Sequence, residues 1–282
     1  MEEEEIEKYW DHVALEAKDL EKTLRLEKWK KAARNWLANY ADKRAKDFVL
    51  KVINEVVKLD KSAKVLDVGC GPGKWAMLLA KKCSSVTAID ISPKMILLAR
   101  ENARKQNLNN IGFHVMRVSK LNMQDQTFDV VNCVTVLQHI FDDDEWRNAV
   151  SEIARVTKKG GYTLLLEAAP NFTIKKRTPH LSIRTMQQYV NEFEKLKIRL
   201  IYWRPADLSL PVTFLGLKNY AASFNKKVYY FVTGRELVSP SFKSLLSRIA
   251  VMLAGQIDYK LAETPLSFLS FNKILLFRKS TT

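Results

Sequence analysis

The sequence predicts an α/β fold, a doubly wound and mostly parallel sheet with helices on both faces. Three observations carry that prediction. From Ala63 the chain alternates short apolar runs with amphipathic stretches, the pattern of strands joined by crossover helices. One run, Val65-Leu66-Asp67-Val68, passes straight into Gly69-Cys70-Gly71-Pro72-Gly73, where missing Cβ atoms let the backbone turn tightly and approach a ligand. A later run ends in Asp90, a carboxylate placed to accept both hydroxyls of a ribose.

Taken in order, residues 1–60 read as helices. Ile6, Tyr9, Trp10 and Val13 keep three- and four-residue spacing, as do Phe48, Val49, Val52, Ile53 and Val56. Trp29, Trp36 and Tyr40 supply an aromatic seam between the two groups. Strands are expected at Lys64–Val68, Val86–Asp90, Gly112–Arg117, Phe128–Val134 and Tyr162–Glu167. A helix from Lys74 to Lys82 follows the glycine turn, and its N-terminus offers unpaired N–H groups. The next starts at Ser92-Pro93, a capping serine with proline at the first helical position. Another follows Asp142-Asp143-Asp144-Glu145, whose carboxylates suit a helix N-terminus, and is expected to stop at Lys158-Lys159-Gly160-Gly161. Thr185 to Leu196 reads as a helix, Ile198 to Trp203 as a sixth strand and Ile274 to Arg278 as the last. The stretch from Pro205 to Ser270 is too long for a loop and is expected to form a lobe of its own. The organisation is thus a helical extension over 1–60, a core over 61–204 continued by 271–282, and an insertion over 205–270.

The chain has 282 residues, enough for one large core with a smaller appended lobe. No apolar run reaches the length of a membrane span, and Met1-Glu2-Glu3-Glu4-Glu5 is unlike a signal peptide. Cys70, Cys83 and Cys133 fall inside expected buried elements without metal-ligand spacing, so a reduced, cytoplasmic protein without a metal site is expected. The net charge of +15 is unevenly spread: residues 171–282 hold 18 Lys and Arg against 6 Asp and Glu, a net +12. Such a lobe can attract phosphates, nucleic acid or an anionic membrane surface, or be a lysine-rich solvated surface.

The glycine pattern decides between two nucleotide-binding families. Nicotinamide enzymes use Gly-x-Gly-x-x-Gly, whereas Gly69, Gly71 and Gly73 alternate here, with Asp67 two residues before the first. This resembles the acidic-x-Gly-x-Gly-x-Gly signature of the class I S-adenosylmethionine-dependent methyltransferases. Arg155-Val156-Thr157-Lys158-Lys159-Gly160-Gly161 is similar to that family's entry into its fifth strand. The resemblance implies a seven-stranded sheet with an antiparallel last strand, and an N-terminal extension acting as a lid. It also implies S-adenosylmethionine as cofactor and S-adenosylhomocysteine as product. Gly69 and Gly71, with Cys70 and Gly73 in the same turn, would approach the methionine part; Asp67 would order the turn near it; Asp90 would take the ribose, with Ile91 beside the adenine. The family's usual acid for the adenine amino group is absent, since Arg117-Val118-Ser119 stands at that position. Backbone atoms and Ser119, next to Val118, are then expected to serve the adenine.

Val134-Thr135-Val136-Leu137-Gln138-His139-Ile140 is similar to the Leu-x-His stretch of many small-molecule methyltransferases. Val134 and Gln138 are expected at the cofactor, and His139 is the candidate general base, its ordinary pKa lying near neutrality. An orienting or packing role for His139 stays open. His12, His114 and His180 lack comparable context. The acceptor is expected to be a small molecule or a lipid. Asn132-Cys133-Val134-Thr135 replaces the tetrapeptide carried by nucleobase amino methyltransferases, and the last third mixes aromatic with basic side chains. Leu245, Leu246, Ile249, Met252 and Leu253 share one helical face beside Lys243 and Arg248, which suits a pocket wall, a helix resting on a membrane, or simple packing. RNA or protein acceptors are the alternative, and a non-catalytic scaffold that only binds the cofactor is a second one.

Overall fold

The computed structural model describes residues 3–23, 46–173, 181–206 and 272–282. Helix α1 covers Glu3–Thr23. The described part of α2 is α-helical over 46–52 and closes in a π-helical turn, Ile53–Val57. Then follow β1 (Lys64–Val68), α3 (Lys74–Ala80), β2 (Ser85–Asp90), α4 (Pro93–Lys105), β3 (Ile111–Val115) and β4 (Phe128–Val134). A short 3-10 turn, Leu137–His139, leads to α5 (Asp143–Val156), β5 (Thr157–Ala168), α6 (Met186–Lys195), β6 (Ile198–Pro205) and β7 (Asn272–Lys279). The expected seam of Trp29, Trp36 and Tyr40 and nearly all of the expected insertion lobe lie outside the described residues. No helix among the described residues is long and apolar enough to cross a membrane.

Strand alternation builds two cores from one sheet. Successive side chains point to opposite faces. Val65 therefore joins Ala76, Leu79, Ile96 and Val49 on one face, while Leu66 and Val68 join Val150, Ile153 and Phe193 on the other. In β7, Ile274 and Leu276 serve the first core and Leu275 and Phe277 the second. The seven strands lie in the order β3-β2-β1-β4-β5-β7-β6. β7 runs antiparallel to both β5 and β6, and the other pairs are parallel. The reversal of order beside β1 puts a crevice at the carboxyl ends of β1 and β4, where open sheets of this kind receive ligands.

α4, α5 and α6 carry side-chain caps, and the one at Ser92 is the cap expected from the sequence. Ser92 Oγ accepts from Met95 N with Pro93 in the first turn of α4. Asp142 accepts from Glu145 N at the start of α5, and Thr185 and Gln188 form a reciprocal capping box on α6. Most boundaries shift by a residue or two, and those after β3 and between α5 and β5 bear on the site. β3 ends at Val115, so Arg117 lies beyond the strand. α5 stops at Val156, where Thr157 Oγ1 donates back to Ile153 O at 2.7 Å, and β5 starts at once. Gly160 and Gly161 therefore do not end a helix. They form a bulge, Phe128 pairing with Thr157 but Val130 with Tyr162. A Cβ on Gly161 would lie 2.9 Å from Lys158 O and 3.0 Å from Asp129 O.

Gly69 couples β1 to the residues after β4. Its φ is +63°, and an added Cβ would stand 2.2 Å from Val136 Cγ2. Gly69→Ala should lower the free energy of unfolding by about 1–3 kcal/mol through overpacking, with backbone strain adding to it. Pairing it with Val136→Ala should restore part of that loss. Chemical denaturation measures both, and a Gly69→Ala chain as stable as the wild type would contradict this close approach.

Candidate cofactor site at the carboxyl edge of the sheet

Asp90 organises the first half of the site. Its Oδ2 accepts the Gly71 N–H at 2.8 Å and its Oδ1 accepts the Ser92 N–H at 2.9 Å, so one carboxylate holds the turns after β1 and after β2. Burial raises its pKa, opposed by those N–H donors. Gly71 itself has φ +51°, and an added Cβ would meet no atom within 4 Å. The loop thus presents bare backbone to open space.

That space is a cavity of about 440 Å³. Gly69, Cys70 and Gly71 line it from the first turn, Asp90 and Ile91 from the end of β2, and Val118, Val134 and His139 from the side of β3 and β4. Asp67, Gly73, Ser119 and Gln138 do not line it. Gly73 packs against α4, where an added Cβ would lie 3.1 Å from Ala99 Cβ. Ile6, Trp10 and Val13 of α1 close the cavity from above. α1 is held there by Asp11, which accepts from Ser92 Oγ and pairs with Lys94 Nζ at 3.2 Å. Ser92 therefore starts α4 and fastens α1 together.

His139 reaches the wall through the backbone around it. Thr135 has φ +56°, a strained conformation for a β-branched residue. Its N–H donates to Leu166 O at 2.8 Å. The next three N–H groups, of Val136, Leu137 and Gln138, donate to the Glu167 carboxylate at 2.8, 3.0 and 3.1 Å. Gln138 turns away from the cavity, and its Oε1 accepts Ala168 N at 2.8 Å. Arg184 secures the following residue, donating to Ile140 O at 2.9 Å from above the Trp146 ring. The His139 ring is left against Trp10, edge to face, with centroids 5.0 Å apart.

Two acids lie under this edge. Asp67, wholly buried, accepts from Asn132 Nδ2 at 2.7 Å, while Asp67 Oδ2 and Asn132 Oδ1 have no hydrogen-bond partner among the described residues. Burial pushes the Asp67 carboxyl up to about 7, against the pull of Asn132. Burial also raises Glu167 to about 7, outweighing its three N–H donors. On the other side of the cavity, Glu145 Oε1 accepts from Arg117 Nη1 and Ser119 Oγ, each at 3.2 Å. Trp10, Thr135, Glu145 and Glu167 were not anticipated as site residues. An acid closing the apolar run Leu164-Leu165-Leu166 was the available signal for Glu167, because a buried charge demands partners.

Residues 65–161 match the family model described as a methyltransferase domain. That span contains the glycine turn, Asp90 and His139, and the strand order above is the class I one. The matched residues form a methyltransferase domain of the class I, S-adenosylmethionine-dependent family. The chain is 36% identical over 116 residues to an uncharacterized methyltransferase of Schizosaccharomyces pombe, covering 38% of this chain and 41% of that protein. It is 33% identical over 123 residues to a ubiquinone biosynthesis O-methyltransferase of Coxiella burnetii, covering 44% and 50%. The chain thus spans half or less of the length of these relatives. Among solved structures the [4+2]-cyclase SpnF has the same fold, with a TM-score of 0.56 and 22% identity over 84% of this chain and 81% of that one. A cyclase on this fold means that architecture alone does not fix the reaction.

The residues of this methyltransferase domain fit the family's cofactor. Bare backbone at Gly71 and a buried carboxylate at Asp90 face one cavity, and Asp90 retains acceptor capacity beyond its two N–H donors. The domain also has a pH signature. The Asp67 carboxyl stands at about 7 in the folded chain against an ordinary 3.8, so folding takes up a proton between those values. That stabilisation is full below about pH 4 and is lost as pH rises through about 7; Glu167 acts in the same sense. Asp67→Asn removes the titrating group and leaves a neutral side chain of nearly the same shape. It should melt at a higher temperature than the wild type at about pH 8 and lose less stability from about pH 5 upward. Scanning calorimetry across that range reads the difference, and parallel profiles would remove Asp67 as the source.

Proposed function

We propose that this chain binds S-adenosylmethionine in the cavity and transfers its methyl group to a small-molecule or lipid-like acceptor. The observation that carries the reading is the open backbone of Gly71 tied to Asp90 beneath a roof of Ile6, Trp10 and Val13. Such walls favour an apolar acceptor over the polyanion that the basic last third would attract. The name of one relative, a ubiquinone biosynthesis O-methyltransferase, supports transfer to oxygen.

The sulfonium cofactor supplies a methyl group that is already activated. What remains for the protein is positioning, exclusion of water and care of one proton. The glycine turn accommodates the methionine part, and Asp90 accepts the ribose hydroxyls in a buried setting where a charge-assisted hydrogen bond is strong. α1 excludes water through Trp10. His139, on the wall and braced by Trp10, takes the proton of a hydroxyl acceptor.

Titration calorimetry should register S-adenosylmethionine and S-adenosylhomocysteine and no comparable heat from NAD. Asp90→Ala should weaken both by about 1.5–3 kcal/mol, the value of a hydrogen bond to a charged group. Unchanged affinity in that variant, or tight NAD binding, would sink the reading. His139→Ala should lower methyl transfer to a phenolic or other apolar hydroxyl acceptor roughly a hundredfold while cofactor affinity stays near wild type. A joint fall in affinity and rate would instead make His139 a positioning residue.

A further inference from the structure

The side of the cavity beyond Ile91 lacks the acid that the segment after β3 is expected to supply. We propose that Glu145, at the first turn of α5, takes that role and makes this chain select a 6-aminopurine over its 6-oxo counterpart. The inference rests on the cofactor reading above and deepens it.

Four observations converge on Glu145. It lines the same cavity as Asp90, Ile91 and Val118. Met116, Val118 and Ile140 line the cavity with it as apolar wall and Arg117 as a donor, so among these neighbours its carboxylate is the acceptor. Its backbone is fixed, because Asp142 Oδ1 accepts the Glu145 N–H at 2.7 Å as the cap of α5. Its side chain is oriented from the other direction: Arg117 Nη1 and Ser119 Oγ both donate to Oε1, which leaves Oε2 for a ligand. With side chains 25% and 18% exposed, Arg117 and Glu145 form a half-buried pair whose opposite charges balance.

Chemistry then sets the preference. An exocyclic amine donates to a carboxylate, whereas a 6-oxo group presents a second acceptor to it and is repelled. A site built around a hydrogen bond rejects the analogue lacking the donor, because its buried polar group is left without a partner. The residues at 117–119 are thereby not a loss of recognition. Arg117 and Ser119 aim a carboxylate that comes from a different helix.

The test uses the full chain and two probes, S-adenosylhomocysteine and S-inosylhomocysteine, titrated by calorimetry without turnover. The wild type should prefer the adenosyl compound by about tenfold or more. Glu145→Gln, nearly isosteric, should bring that ratio close to one or invert it, since the carboxamide can donate to a 6-oxo group. Glu145→Ala should also collapse the ratio while affinity for the inosyl compound holds, and that retained affinity doubles as the control for folding. A wild-type preference preserved in both variants, or absent from the wild type, would overturn the assignment of Glu145 and leave the cofactor reading standing. Failure of the wild type to bind S-adenosylhomocysteine at all would overturn both.

Discussion

A single buried residue joins the separate turns of this edge. Asp90 takes one N–H from the turn after β1 and one from the turn after β2, and its own carbonyl oxygen takes the Met116 N–H from the segment after β3 at 2.9 Å. Three consecutive strands of the sheet thus end on one residue. Ser92, held by Asp90, extends the chain of contacts to Asp11 and so to α1. Without the Asp90 carboxylate the glycine turn, the start of α4 and the roof of the cavity would each lose their common reference.

Concentrating acids at this edge has an energetic cost that the sheet beneath absorbs. Asp67, Asp90 and Glu167 are all buried, and burial raises the pKa of each. Two apolar clusters, one on each face of the sheet, supply the burial free energy against which that cost is set. The exposed pairs, such as Lys51 with Glu55 or Arg147 with Asp144, contribute little by comparison. Stability and site are built from the same strands with opposite signs.

What could be read in the sequence was whatever is local. Alternation in Val65-Leu66-Asp67-Val68, the glycine turn and the cap at Ser92 are each encoded within a few residues, and each appears in the fold as expected. The half of the site around Gly71 and Asp90 shares that property. The other half is tertiary. Glu167 matters only because β5 pairs with β4, and Glu145 reads as a helix-terminal acid until Arg117 and Ser119 are brought to it. Gly160-Gly161 carries a signal that fits both a helix end and a bulge, and Thr157 decides between them by closing α5 first. Thr135 gives no local sign of its left-handed conformation, since a β-branched residue is the last expected there.

The Glu167 carboxylate also sets an order of events during synthesis. The glycine turn, Asp90 and Ser92 lie within residues 69–92 and make their contacts among themselves. The turn that carries His139 has no such independence, because its three N–H groups wait for a residue at the far end of β5. β5 in turn lies between β4 and β7, so its own place depends on strands that follow it in the chain. A nascent chain can therefore form its ligand-facing loop before the histidine beside it is anchored.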